Sequence, residues 1–358
     1  MKMLRYVSPA LLLSTNLMAG ESVKIGGQFR GELMHNTNKS AEAAGAASGS
    51  KEATGQQAFV SFSAMAHLSD KAKFESELQF LNGGGSVANC AGSLVRTGKV
   101  TWWHQDFLSV AIGCSQAKSG GWDFATYNSS QSIRAFNPAN SVKPGDTTFS
   151  YVPNIKAFNP SIEVGLHMFG DLTLQLMDDV ANTASGWNTK TTQTWNVEWK
   201  GDLFGIQPIL QYGMYDAGHS HHYDIGLMLD VSNLSLKVDY MSVGHSVKTA
   251  KTATKSESKM NQSNRMSVEL AYNMMGWTPS LYYSNYMNKP KTDPKANSAA
   301  GTWDHDGQVL TVAVATSLLG ANFSPYVAFD WQSGKFKEGT DNKTKSDTII
   351  RIGGVAHF

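Results

Sequence analysis

Histidines are the residues of this chain whose type and spacing first suggest chemistry. Three of them stand within four positions in 219-HSHH-222. Imidazole is a common metal ligand, so this segment could bind a metal ion. However, the nearby carboxylates are limited to Asp216 and Asp224, and no cysteine is close. The segment is more typical of a solvated polar loop, and we expect neither a metal site nor a cofactor.

Hydrolytic chemistry would need a serine paired with a histidine, and a third group that orients the histidine. Alternating segments place His67 and His167 on candidate strands, but the sequence indicates no partner for either. We therefore expect that the protein is not an enzyme. A membrane-embedded hydrolase stays as a less favoured alternative.

The first twenty residues are typical of a secretory signal peptide. Lys2 and Arg5 precede a short apolar stretch, and small residues follow it. A buried N-terminal helix is the alternative. We predict a signal peptide over 1–20, cut near its end, and one domain over 21–358. No later run of about 18 apolar residues occurs, so an exported chain of this kind is either soluble or a closed β-barrel.

Cys90 and Cys114 are the two cysteines of the chain. An even number of cysteines in an exported protein suggests a disulfide, and both positions fall toward the same side of the predicted barrel. We expect a Cys90–Cys114 bridge. Two unpaired thiols are the alternative.

The elements that must position these residues are recurrent segments of about ten residues in which apolar and polar side chains alternate. Clear examples are 23–33, 58–68, 74–80, 266–272 and 347–358. Successive strand side chains point to opposite faces, so each segment has one apolar face. This pattern is typical of a transmembrane antiparallel β-barrel.

Strand counting gives sixteen. The segment 161–177 keeps one parity from Ile162 to Leu176, and we interpret it as one strand. Sixteen also results if 148–156 belongs to the preceding loop. Short turns alternate with long polar connections, which we predict at 36–56, 82–94, 114–147, 178–191, 243–262, 287–306 and 332–346.

Composition narrows the function. Charged residues make up 16% of the chain and the formal net charge is +1, without a basic stripe interleaved with aromatics. We therefore expect no nucleic-acid partner.

The exported N-terminus, sixteen amphipathic strands and a last strand that ends in Phe358 together resemble the general porins of Gram-negative outer membranes. The stretch 148-TFSYVP-153 also resembles the strand and turn after the third loop of many porins. The resemblance implies an outer-membrane homotrimer in contact with lipid and lipopolysaccharide. It also implies that the barrel-assembly machinery recognises Phe358, and that the third loop, at about 115–147, folds inward.

Lipopolysaccharide phosphates could also be contacted by four lysines in the connection 243–262. These are Lys248, Lys251, Lys255 and Lys259. The same lysines could instead draw anions toward the mouth of the barrel. A solvated, mobile loop with neither role is the alternative.

The charges that could form a pore constriction come from strand parity and from this resemblance. Parity places six mid-strand charges on the lumen face: Arg30, Glu75, Glu77, Lys99, Glu269 and Arg351. The third loop would add Asp123 and Arg134. We expect Arg30 and Arg351 to form a basic wall opposite Asp123. The alternative is that all these charges are ordinary solvated lumen residues.

The function indicated is passive diffusion of ions and small hydrophilic solutes through a water-filled channel. A channel selective for sugars, phosphate or another anion is the nearest alternative. A surface adhesin and an outer-membrane enzyme are less favoured.

Overall fold

The structure is a computed structural model, and it describes residues 23–38, 53–82, 95–116, 158–178, 193–215, 220–251, 255–289, 306–318, 322–338 and 341–358. These residues form sixteen strands. The strands are β1 (Val23–Asn38), β2 (Ala53–Ser69), β3 (Ala72–Asn82), β4 (Val95–Trp103), β5 (Leu108–Gln116), β6 (Phe158–Leu166), β7 (Asp171–Asp178), β8 (Gln193–Lys200), β9 (Ile206–Tyr215), β10 (Ser220–Val231), β11 (Leu234–Lys251), β12 (Lys255–Tyr272), β13 (Trp277–Lys289), β14 (Asp306–Thr316), β15 (Phe323–Glu338) and β16 (Asp341–His357).

Each strand pairs antiparallel with its neighbours in the sequence, and β1 pairs with β16, so the sheet closes into a barrel. The predicted sixteen-stranded antiparallel barrel is confirmed. Closure matters physically because it leaves no strand edge with unpaired backbone groups. Within the described ranges, no helix has the length and apolar character needed to cross a membrane.

The interpretation of 161–177 as one strand is wrong. β6 ends at Leu166, β7 begins at Asp171, and the two pair as a hairpin. Leu166 lies opposite Leu172, so paired positions have equal parity and the alternation runs through the turn unchanged. Gly170 makes the turn possible because its φ of 89° lies in a region that side chains other than glycine rarely adopt. The sixteen described strands close the barrel among themselves, and 148–156 lies outside the described residues.

Two predicted long loops are also wrong in extent. β11 continues to Lys251 and β12 begins at Lys255, so most of 243–262 is strand. Likewise β15 continues to Glu338 and β16 begins at Asp341. These segments carry polar residues on both faces, and for that reason they show no alternation. The predicted third loop lies outside the described residues from position 117 onward.

The two faces of the barrel differ as the alternation predicts. Large apolar side chains on the outward face are exposed, among them Ile25, Leu33, Ile112, Leu174, Leu210, Leu227, Val312 and Ile352. Polar and charged side chains fill the inward face and are largely buried, among them Gln175, Asn196, Asp224, Asp239 and Thr311. An apolar exterior around a polar interior is the arrangement that a lipid bilayer requires.

The seam between β1 and β16 is closed by the last residue. Phe358 and Gly27 exchange two backbone hydrogen bonds, of 2.9 and 3.1 Å. The Phe358 ring also packs edge-on against Phe62 of β2, with ring centroids 5.7 Å apart. The terminal phenylalanine therefore joins the first two strands to the last.

Candidate functional site on the inward face

The inward face carries an excess of carboxylates. Among the described residues, the buried charged side chains are one arginine, Arg351, and seven acids: Glu32, Glu163, Glu198, Asp224, Asp239, Glu269 and Asp330. A buried carboxylate is costly to desolvate unless it is paired and hydrogen-bonded. The contacts of these acids with neighbouring strands therefore decide both the stability of the wall and its field.

Arg351 forms ion pairs with two of these acids, Glu32 and Asp330. Together with Tyr326 and Thr311, these residues are called the Arg351 cluster. The Nε and Nη2 atoms of Arg351 donate to the two carboxylate oxygens of Asp330 at 2.7 and 2.9 Å. Its Nη1 atom lies 3.4 Å from Glu32 Oε2. This two-pronged contact to Asp330 is the strongest geometry of an arginine–carboxylate pair.

Hydroxyl donors complete the Arg351 cluster. Tyr326 donates its phenol hydrogen to Glu32, and Thr311 donates to Asp330 Oδ1 at 2.7 Å. The barrel register gives room for the guanidinium, because Arg351 on β16 lies opposite the small residue Ala328 on β15. Three consecutive strands, β14 to β16, and the sequence-distant β1 thus supply one buried, hydrogen-bonded group.

A second network, the Glu163 cluster, lies on β4 to β8. Lys99 Nζ is 3.4 Å from Glu163 Oε2, and Ser115 donates to the other carboxylate oxygen. Gln175 donates to the same oxygen at 3.1 Å and to Ser115 Oγ at 2.9 Å. Asn196 then donates to Gln175 Oε1 at 3.2 Å. The buried carboxylate of Glu163 is therefore satisfied by one lysine together with hydroxyl and amide donors.

The wall formed by β11, β12 and β13 repeats the pattern. Arg265 Nη2 is 2.7 Å from Asp239 Oδ2, and Lys237 Nζ is 3.5 Å from Glu269 Oε1. The Tyr282 hydroxyl donates to Ser267 at 3.3 Å. On β8, Lys200 Nζ lies 3.4 Å from Glu198 Oε1. Most described inward carboxylates therefore have a basic partner on the same or an adjacent strand.

The histidine segment does not form the loop predicted from its sequence. His221 and His222 lie on β10, and His219 lies outside the described residues. Adjacent strand residues point to opposite faces, so His221 and His222 cannot jointly hold one ion. His222 is buried in the lumen with its Nε2 atom 3.6 Å from Asp224 Oδ2. In the described ranges no three His, Cys, Asp or Glu side chains are grouped as metal ligands.

The predicted lumen residues are placed as follows. Glu75, Glu77, Lys99, Glu269 and Arg351 lie on the inward face of their strands. Glu75 Oε1 pairs with Lys73 at 3.0 Å. Asp123, Arg134 and the side chain of Arg30 lie outside the described residues.

The structure does not place Arg30 directly beside Arg351. Although β1 and β16 are neighbours, Arg30 lies opposite Val355, and Arg351 lies opposite Met34. The two sites are four positions apart along the strands, which corresponds to about 13 Å. The guanidinium of Arg351 contacts the carboxylates of Asp330 and Glu32.

Cys114 is disulfide-bonded, and it lies near the end of β5. Cys90, the other cysteine of the sequence, lies outside the described residues. The pairing of these two residues stays a prediction.

Several inward charges were missing from the predicted set, notably Glu32, Glu163, Asp239 and Asp330. The same parity rule that selected Glu269 also assigns each of them to the lumen, so the signal was present in the sequence. What the sequence does not give is which acid meets which base. That depends on the register between strands, as in the contact of Arg351 with Glu32, more than 300 positions away.

Comparisons with known proteins find this fold in solved outer-membrane proteins. No family model and no curated protein matches the chain. The anion-selective porin from Comamonas acidovorans is 12% identical with a TM-score of 0.59, and 95% of this chain and 100% of that chain are covered. The outer membrane channel DcaP of Acinetobacter baumannii is 13% identical with a TM-score of 0.59, over 95% and 98% of the two chains.

A third solved structure is the trimer form of in-vitro folded OmpT, an outer membrane protein of Vibrio cholerae. It is 11% identical with a TM-score of 0.58, and 95% of this chain and 100% of that chain are covered. At such low identities the likeness concerns the course of the backbone and not individual side chains. The chain thus has the sixteen-stranded barrel fold that is found in porins and other outer-membrane proteins.

Proposed function

We propose that this protein forms a water-filled channel in the bacterial outer membrane, through which ions and small hydrophilic solutes diffuse passively. The observation that supports it is the inversion of polarity across one closed sheet, with an apolar exterior and a charged, hydrogen-bonded interior. Barrels of sixteen to eighteen strands are wide enough for an aqueous channel. The fold shared with DcaP and with an anion-selective porin supports the same proposal.

Charge balance favours cations over anions. Among the described residues, seven buried acids stand against one buried arginine, and Arg351 contacts two of these acids, Asp330 and Glu32. The Oδ2 atom of Asp224 lies 3.6 Å from Nε2 of His222, an imidazole that carries a charge only when it is protonated. Charges lining a pore set the sign of the ions that enter it. We therefore propose a channel that prefers cations, in contrast to a basic wall dominated by Arg30 and Arg351.

The remaining features of the porin resemblance complete the proposal. We propose a homotrimer in contact with lipid and lipopolysaccharide. Residues 1–20 would act as a signal peptide that directs export and is then cleaved off. The barrel-assembly machinery would recognise Phe358. Asp123 and Arg134 would narrow the pore that is lined by Glu75, Glu77, Lys99, Glu269 and Arg351. A Cys90–Cys114 bridge would fasten the loops on one side of the barrel.

A planar bilayer under a salt gradient tests the channel directly. Refolded full-length protein is added, and unitary conductance and reversal potential are recorded. We expect equal steps in groups of three and a reversal potential of the sign given by cation preference. Folded, heat-modifiable barrel that gives no conductance would contradict the channel proposal and favour an adhesin. Saturation of the current by one sugar or anion would favour a selective channel instead.

A further inference from the structure

A serine, a histidine and an aspartate meet at the end of the barrel where the short turns lie. Ser109 is the second residue of β5, His167 directly follows β6, and Asp171 begins β7. The β5–β6 register sets Ser109 opposite Gly165, two residues before His167 on the same inward face. The turn 167–170 then brings Asp171 back beside His167. No local pattern in the sequence indicates this meeting, because it depends on the β6–β7 hairpin, across which the alternation continues unchanged.

The distances are those of a relay from acid to base to nucleophile. Ser109 Oγ lies 2.9 Å from His167 Nε2, and His167 Nδ1 lies 2.7 Å from Asp171 Oδ1. An ionised carboxylate only accepts hydrogen bonds, so Nδ1 carries the imidazole hydrogen and Nε2 is left to accept from the serine. This is the tautomer in which a histidine can act as the general base for a serine nucleophile.

The backbone around the three residues is fixed in place. The His167 amide donates to the carbonyl oxygen of Phe107 at 2.9 Å. The indole nitrogen of Trp199 donates to the carbonyl oxygen of Phe169 at 2.8 Å, which ties the turn to β8. Preorganisation of this kind keeps reacting groups in their productive geometry.

Space is also left beside the reacting atoms. A Cβ atom on Gly165 would lie 2.5 Å from Ser109 Oγ and 2.9 Å from His167 Nε2. A glycine at this position therefore keeps a gap next to the hydroxyl that any other residue would fill. Water can reach the group, since the side chains of His167 and Asp171 are 27% and 64% exposed.

The surroundings indicate the class of substrate. Phe107, Met168 and Phe169 lie in the two turns that flank the three residues, and all are exposed, Phe169 at 85%. Apolar side chains at the rim of a membrane barrel face the interface between lipid and water. They can hold an acyl chain near the inward-facing Ser109, which is itself 8% exposed.

We propose that Ser109, His167 and Asp171 form an esterase site that hydrolyses carboxylic esters with an apolar acyl chain. Ser109 Oγ attacks the carbonyl carbon while its proton passes to His167 Nε2. The bond from that carbon to the leaving alcohol then breaks, and the alcohol oxygen takes the proton. Water attacks the acyl-serine, gives its proton to Nε2, and the acid leaves as the proton returns to Ser109. Asp171 stabilises the transient imidazolium.

The test uses refolded full-length barrel in detergent micelles. A fluorophosphonate probe should label Ser109, located by mass spectrometry of the digested protein, and p-nitrophenyl octanoate should be hydrolysed. Ser109→Ala should abolish both signals. His167→Gln should lower the rate of labelling by a factor of about 100 or more, as expected when a general base is lost. Ser63→Ala changes an inward serine on β2 and should leave both signals unaltered.

Heat-modifiable migration and bilayer conductance are measured for every variant, so that a folding defect is recognised. Folded wild-type barrel that takes up no probe would overturn the proposal. Labelling of Ser109 that is equally fast in folded His167→Gln would also overturn it, because the hydrogen bond would then be structural only. Bilayer conductance is measured independently of probe labelling and ester hydrolysis. A negative result for the esterase proposal therefore leaves the channel proposal untouched.

Discussion

Replacement of Arg351 by glutamine should destabilise the barrel and increase its preference for cations. The side chain of Arg351 is 3% exposed, and those of its partners Asp330 and Glu32 are 0% and 1% exposed. Loss of the guanidinium leaves two buried carboxylates without their shared base. Removal of one member of a buried ion pair lowers the free energy of unfolding by about 3–5 kcal/mol. Because two acids are affected, we expect the upper part of that range.

The electrical consequence follows from Coulomb's law. A unit charge 4 Å from a permeating ion in water contributes about 1 kcal/mol, which corresponds to about a fivefold change in local ion concentration. Removal of one positive charge from the wall should therefore raise the cation-to-anion permeability ratio by at most about fivefold. Reversal potentials under a salt gradient measure this ratio, and urea unfolding in vesicles, followed by tryptophan fluorescence, measures stability.

Two control variants make the result decisive. Lys24→Gln removes the same charge from an exposed inward side chain near the barrel end, and it should leave stability unchanged. Adding Asp330→Asn to Arg351→Gln removes one of the stranded acids and should restore part of the stability. A loss below about 1 kcal/mol for Arg351→Gln, or no rescue by Asp330→Asn, would refute the view that the cluster is held by charge pairing.

Three further predictions rest on single contacts. Tyr326→Phe removes the hydroxyl that donates to Glu32, and urea unfolding should show a loss of about 1–3 kcal/mol; an unchanged midpoint would show that the hydroxyl is not needed. Lys99→Gln should raise the cation-to-anion permeability ratio and Glu163→Gln should lower it, as reversal potentials will report; shifts of the same sign in both variants would contradict their pairing in the lumen. Reduction of the disulfide should slow the migration of denatured wild-type protein in a gel, whereas Cys90→Ser should migrate alike with and without reductant; a persisting shift in that variant would exclude the Cys90–Cys114 bridge.

The fold could be predicted from the sequence because one physical rule governs it. A strand between lipid and water must alternate, and the alternation at 23–33 and 347–358 identifies both the first and the last strand. The rule fails where its premise fails. Where polar residues occupy both faces of a strand, as in the last residues of β11 and the first residues of β12, there is no alternation and the rule predicts a loop.

The hairpin of β6 and β7 escaped prediction for a different reason. Opposed residues such as Glu163 and Gln175 have equal parity, so the turn leaves no phase shift in the sequence. In the candidate sites, too, the sequence predicts the face on which a residue lies but not its contacts with other strands. Parity gives the face on which Arg351 lies, whereas its contact with Glu32 requires the closed barrel. The meeting of Ser109 with His167 requires the β5–β6 register, which no local pattern encodes.

The seam between β1 and β16 has a consequence for the order of folding. It pairs Gln28 with His357, more than 300 positions apart, whereas every other seam joins strands that are consecutive in the sequence. Closing a flexible loop of that length costs about 4 kcal/mol more conformational entropy than closing a four-residue turn. The seam should therefore form last, after the intervening hairpins have shortened the effective loop. Until then the sheet has two open edges, and this is the stage at which a second chain can pair with it in error.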